Sequence, residues 1–150
     1  MSIRENEALV RRYFEAYRTG NVDDAADYIA TDAVFSAPDL DEDGSYGDVR
    51  GTSGPEGFQE QVRGTRTAFP DLIATIIDLV VTEDKVVLRY RSQGTFRGPY
   101  GSLQPTGKQF ESTGVELIHI ADGKISSVWS VGDEMRAWQQ LGVLPKLLAP

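Results

Sequence analysis

The sequence predicts an α+β fold, with helices gathered first and a long antiparallel meander after them. Two observations carry this. Leu9, Val10, Tyr13, Phe14 and Tyr17 recur at helical spacing, whereas from Leu72 onward the apolar residues come in short runs rich in Val, Ile, Phe and Tyr. The turn sequences TEDK and ADGK separate neighbouring runs. A curved sheet wrapped around helices leaves a blind apolar cavity at its centre, and such cavities are default ligand sites.

Each element has a local reason. Gly20 stops the first helix, and Asn21 is suited to cap a second short helix, Val22 to Ile29, ahead of a strand at Ala33 to Ser36. The segment SAPDLDEDGSYGDVRGTSG is polar and turn-rich, so it is expected to be a long surface loop. Ser53-Gly54-Pro55 opens a further helix with Pro55 in its first turn, running to about Phe69. Strands are expected at Leu72 to Val81, Val86 to Phe96, Gln109 to Ala121 and Lys124 to Val131. A last short helix, Asp133 to Leu141, is stopped by Gly142 and Pro145.

The 150 residues suit one domain, residues 1–150, large enough to bury a core without staples. The formal net charge of −8 and the absence of a basic stripe argue against nucleic acid and anionic membrane as partners. Without cysteine, thiol catalysis, disulfides and cysteine-ligated zinc are excluded. The N-terminal MSIRENEALVRR has no apolar signal region, and no segment approaches a membrane span, so a cytoplasmic setting is expected.

Several candidate sites fall away. Asp39, Asp41 and Asp43 alternate before Gly44 as a calcium loop begins, but Arg50 stands where the bidentate acid should be. The glycines of GTSGPEG and GTFRGPYG lack the strand–loop–helix order of a phosphate cradle and serve turns. No metal is expected.

The last hairpin holds the remaining chemistry. A type I turn at Ala121-Asp122-Gly123, with Gly123 forming a bulge, sets Ile120 opposite Lys124 and Glu116 opposite Val128. One face then carries Gly114, Glu116, Ile118, Ile120, Val128, Ser130 and Gly132. The other carries His119, the only histidine, with Leu117, Ile125, Trp129, Val131 and Asp133. His119 lies opposite Ile125, and the eight residues from there to Asp133 span on the order of 26 Å, too far for an acid/base pair. A tight two-residue turn would instead flip the parity and put Glu116 on the Trp129 face.

Glu116 is therefore the carboxylate of interest, with Ser130 its diagonal neighbour. A carboxyl group in an apolar cavity has its pKa raised by desolvation, which suits a general acid or base. The alternatives are a solvated face, or a structural pairing of Glu116 with Arg89 or Arg91 on a neighbouring strand.

The stretches YFEAYRTGNVDDAADYIATDAVF, GPEGF, AFPDL, GTFRG, PTGKQF, IADGKI, VW and QQLG occur in the order and spacing of the SnoaL-like polyketide cyclase family, which the chain resembles over nearly its whole length. The resemblance implies the nuclear-transport-factor-2-like fold, a cone with a deep pocket, usually homodimeric. It also implies ring closure by intramolecular aldol condensation on polyketide methyl esters, without cofactor or metal, with an aspartate as acid/base. That aspartate directly follows the position of Trp129, where this chain has Ser130, and a histidine of the preceding strand is replaced by Glu116. Phe35 stands where the cyclases place an asparagine. Tyr17 and Gln61 fall where the family lines its pocket and orients substrate. Asp133 matches an acidic residue that opens the last helix in many relatives; the alternative, favoured by its location, is that it is only an N-cap. Tyr90, Phe96 and Trp129 are packing residues that are also placed to border a flat aromatic ligand.

The expectation is a cofactor-independent enzyme doing acid/base chemistry on a small hydrophobic, polyketide-like substrate, with Glu116 as acid/base and Ser130 and Tyr17 orienting. Two rivals stay open: a non-catalytic small-molecule-binding or accessory protein using the same pocket, and a related epoxide-opening or hydroxylation-assisting enzyme.

Overall fold

The computed structural model describes residues 1–145. Helix α1 spans Ile3–Thr19. Ser2 Oγ accepts from the Glu5 N–H at 3.1 Å while the Glu5 carboxylate accepts from the Ser2 N–H at 2.8 Å, so two otherwise orphaned donors are satisfied reciprocally. At its end Gly20 takes a left-handed φ of 73° and its N–H donates to Ala16 O. The buried stripe is Val10, Tyr13, Phe14 and Ala16.

The helix expected at Val22 to Ile29 is absent. Only Ala25–Asp27 form a short 3-10 turn, and Ile29 already begins strand β1, Ile29–Leu40. Packing overrides local propensity here: Ile29 is fully buried and pairs with Ile125, whose N–H donates to Tyr28 O at 2.9 Å, so the chain must be extended. The expected loop after Ser36 is a second correction. β1 runs on to Leu40 and returns as β2, Tyr46–Ser53, in an antiparallel hairpin. In its turn the Asp41 and Asp43 carboxylates accept from the N–H groups of Glu42 and Ser45, so the alternating acids satisfy the turn itself.

Helix α2, Gly54–Ala68, begins with Pro55 in its first turn, as expected. Strands β3 (Ile73–Val81), β4 (Lys85–Thr95), β5 (Gln109–Ala121) and β6 (Lys124–Gly132) follow, and α3 spans Glu134–Gln140. The six strands form one curved sheet in the order β2-β1-β6-β5-β4-β3. Its one parallel pair, β1 beside β6, departs from an all-antiparallel sheet.

α1 and α2 lie on the inner face and are tied together, since Arg66 Nη1 donates to Tyr17 O at 2.9 Å. The main core joins Val10, Tyr13, Phe14, Tyr28, Ile29, Phe58 and Val62 to Val86, Leu88, Ile118, Ile120, Ile125 and Val128 of the sheet. A second, smaller core joins Phe69, Leu72, Phe96 and Leu141. Among the described residues, no helix is long and apolar enough to cross a membrane.

Candidate active site

The β5–β6 hairpin reaches the expected facing by a different route. Ala121 pairs with Lys124, and Asp122 and Gly123 between them both have positive φ, 51° and 74°, as a tight two-residue hairpin turn requires. Such a turn alone would set Glu116 opposite Trp129 instead of on the Ser130 face. The bulge expected at Gly123 lies instead at Ser126: His119 faces Ser127 while Ile120 faces Ile125, leaving Ser126 unpaired, with its hydroxyl donating to His119 O at 3.2 Å. The two changes of parity cancel. Ser130 becomes the direct partner of Glu116, and Ile125 turns inward and is fully buried, against its expected outward facing.

Side-chain size along this face makes the cavity. In register across β4, β5 and β6 stand Val86, Ile118 and Val128, then Leu88, Glu116 and Ser130, then Tyr90, Gly114 and Gly132, and beyond them Ser92 and Ser112. The first row is filled core; the later rows thin to hydroxyls and glycines. At Gly114 a Cβ would sit 2.4 Å from the Tyr90 ring, so only glycine lets that ring lie across β5. Ser92 and Ser112 share a hydrogen bond of 3.2 Å.

The resulting cavity of about 270 Å³ is bordered by α1, α2, α3 and the inner face of the sheet. Tyr17, Gln61, Tyr90, Tyr100, Trp138 and Glu134 are among its walls, with Glu116 and Ser130 on its floor. A second cavity, lined by Tyr13, Phe35, Arg50, Glu60 and Val128, also reaches Glu116 and Ser130. The two spaces share this carboxylate and hydroxyl.

Glu116 is 7% exposed, and its Oε2 has no hydrogen-bond partner. Desolvation pushes its pKa up to about 7, against which the nearby Tyr13 hydroxyl acts in the opposite direction. Burial and then the Glu116 charge push the hydroxyls of Tyr17 and Tyr90 well above the usual phenol range, so both remain hydrogen-bond donors at any ordinary pH. Arg89 binds Asp78 at 2.9 Å and Arg91 lies 3.4 Å from Glu111, so neither cation neutralises Glu116. The arrangement provides an acid/base group poised near neutrality, facing hydroxyl donors in an aromatic enclosure.

The structure therefore brings together Glu116, Ser130, Tyr17, Gln61 and Tyr90, with Phe35 in the adjoining space, where it stacks on Phe58 at 6.0 Å. Two expected binding residues are corrected. Phe96 is fully buried against Phe69 and Trp138 and borders neither space. Trp129 faces away from the cavity opposite Leu117, and its indole N–H donates to Asp48 Oδ1 at 2.9 Å. Asp133 was expected on the outer face with His119, but the chain leaves the sheet at Gly132 and Asp133 lines the cavity. It stands at the start of α3 without a side-chain capping bond, 3.6 Å from Arg136. His119 borders neither space.

Sequence reasoning missed Tyr13, Tyr100, Trp138 and Glu134. Tyr13 carried a signal: it lies one helical turn before Tyr17 on the same apolar stripe. The other three come from a loop and the last helix, and only the folded chain brings them to the cavity.

The family model for the SnoaL-like polyketide cyclase matches residues 7–141. Among proteins of assigned activity, the chain is 32% identical over 142 residues to the aklanonic acid methyl ester cyclase AcmA of Streptomyces galilaeus, covering 92% of this chain and 91% of that one. It is 30% identical over 145 residues to the aklanonic acid methyl ester cyclase DnrD of Streptomyces peucetius, covering 89% and 88%. Among solved structures, IdmH of Streptomyces antibioticus superposes with a TM-score of 0.71 at 30% identity, over 91% of this chain and 98% of that chain. TsrD of Streptomyces laurentii superposes with a TM-score of 0.80 at 24% identity, over 96% and 99%, a likeness of fold.

Proposed function

The chain belongs to the SnoaL-like polyketide cyclase family, and on that premise we propose that it closes a ring by aldol-type acid/base chemistry, without a cofactor, on a small hydrophobic polyketide-like ester. The observation that carries this is Glu116, a buried carboxyl group with one unpartnered oxygen, poised near neutral pH in an aromatic cavity. Its ionised form takes the proton from a carbon beside a carbonyl. The enolate so formed attacks a second carbonyl of the same molecule, a carbon–carbon bond forms, and Glu116 returns the proton to the new alkoxide. Ser130, Tyr17 and Tyr90 donate hydrogen bonds to the carbonyl oxygens as charge develops there. Gln61 and Phe35 shape the space. The enzyme works in the cytoplasm, as a homodimer.

The test is turnover of aklanonic acid methyl ester, the compound named for the curated relatives. Glu116→Gln is expected to lower kcat about 100- to 10,000-fold with the fold intact. Unchanged turnover in that variant rejects the assignment of Glu116.

A second reading keeps the cavity and drops the chemistry, making the protein a small-molecule binder. It is favoured by Ser130, an uncharged side chain where the family resemblance places its aspartate. Binding of the ester that survives Glu116→Gln, with no product from either form, would favour it.

A further inference from the structure

The wall of the first cavity is acidic, whereas Arg50 lines only the adjoining space that shares Glu116. The carboxyl groups of Glu116, Asp133 and Glu134 line this first cavity, and among the described residues no lysine, arginine or histidine does. Asp133 has Arg136 beside it. Glu134 takes part in none of the ion pairs among the described residues. Desolvation and then the Asp39 carboxylate raise its pKa. Glu116 is an independent sign of a missing partner: it lines the same space, is 7% exposed, and its buried Oε2 has no hydrogen-bond partner among the described residues.

The rim adds aromatic faces to these acids. Tyr100 and Trp138 have ring centroids 5.4 Å apart at 50°, and Phe69 lies 6.4 Å from Tyr100. All three line the cavity, and the exposed Glu134 stands at its rim. The π faces of such rings attract a cationic group, most strongly an alkylated ammonium shielded from water. The neighbouring carboxylates add attraction for a cation and repulsion for an anion.

We propose that the rim formed by Phe69, Tyr100, Trp138 and Glu134 is a subsite for a protonated amine carried by the ligand. The floor at Glu116 and Ser130 receives the oxygenated carbon frame, and the ammonium group lies among the rim rings against Glu134. This rests on the cavity being the ligand site, as in the cyclase reading, but not on Glu116 performing acid/base chemistry.

Titration calorimetry with three probes of one shape, phenylbutylamine, phenylbutanol and phenylbutyrate, tests it without any turnover. The amine is expected to bind about tenfold more tightly than the alcohol, with phenylbutyrate weakest. Glu134→Gln is expected to reduce amine affinity about fivefold and leave the alcohol unchanged, and Trp138→Leu to weaken the amine more than the alcohol. Glu42→Gln removes a charge from the distant β1–β2 turn and is expected to leave the preference intact. Equal binding of amine and alcohol, no binding of any probe, or an equal effect of Glu42→Gln and Glu134→Gln would overturn the proposal. Failure to turn over aklanonic acid methyl ester would overturn only the cyclase reading.

Discussion

Two halves of one sheet face lie against the same helices and differ in what fills them. Near the hairpin tip, Val86, Ile118, Ile120, Ile125 and Val128 are buried against Val10, Phe14 and Phe58 in one continuous core. Toward the other end of the same strands, Ser92, Ser112, Gly114, Ser130 and Gly132 occupy the equivalent inward positions and leave an open space. The backbone ladder is unbroken from one half to the other along β4 and β5. The cavity is thus a matter of side-chain volume, and Glu116 stands on the boundary where filled rows give way to empty ones. That position explains both its desolvation and its access to a ligand.

The comparison breaks most visibly in the filled half. Ile118→Ala is expected to lose about 2–5 kcal/mol, read from urea unfolding, because a fully buried side chain in the packed core is replaced by a cavity. At the boundary the effect depends on pH. The folded pKa of Glu116, about 7, lies above its ordinary 4.5, so the folded state holds the proton more tightly and stability declines as pH rises between those values. Glu116→Gln is expected to match the parent below pH 4.5 and to exceed it by on the order of 3 kcal/mol above pH 7. A constant stability difference across that range would mean that Glu116 is ionised in the fold throughout.

In the open half the expected losses shrink. Gly114→Ala forces the Tyr90 ring from its place and is expected to lose about 1–3 kcal/mol, with weaker binding of any cavity ligand in calorimetry. Ser112→Ala removes one hydroxyl pair and is expected to change unfolding free energy by less than about 1 kcal/mol. If Ser112→Ala proved as damaging as Ile118→Ala, the open half would be structural core.

Most elements could be read from the chain because local pattern and tertiary demand agree in them. Gly20, Pro55 and the ADGK turn mark boundaries through backbone conformations that need no distant partner. β2 was hidden because an edge strand, exposed except at Val49 and Thr52, can be built from Asp, Gly and Ser without an apolar run. Ile29 misled because its strand conformation is imposed by Ile125, nearly a hundred residues away. In the site, Glu116, Ser130 and Gly132 share a face as the expected register has them, but only because the tighter turn and the bulge at Ser126 each change the parity and cancel. Glu134 and Tyr100 lie outside any strand pattern, and Phe96 was misplaced because an aromatic side chain reads alike in a core and at a pocket wall.

The extra residue at Ser126 has a consequence for comparing this chain with its relatives. Removing Ser126 would leave Ile125 and Ser127 consecutive opposite Ile120 and His119, a regular ladder in which Glu116 still pairs with Ser130 and Trp129 still faces away with Leu117. The bulge is a one-residue reserve, taking up an odd residue between the turn and the floor without changing which side chains face the cavity. Roles on β6 therefore transfer to a relative without the extra residue once a one-residue gap is placed at Ser126.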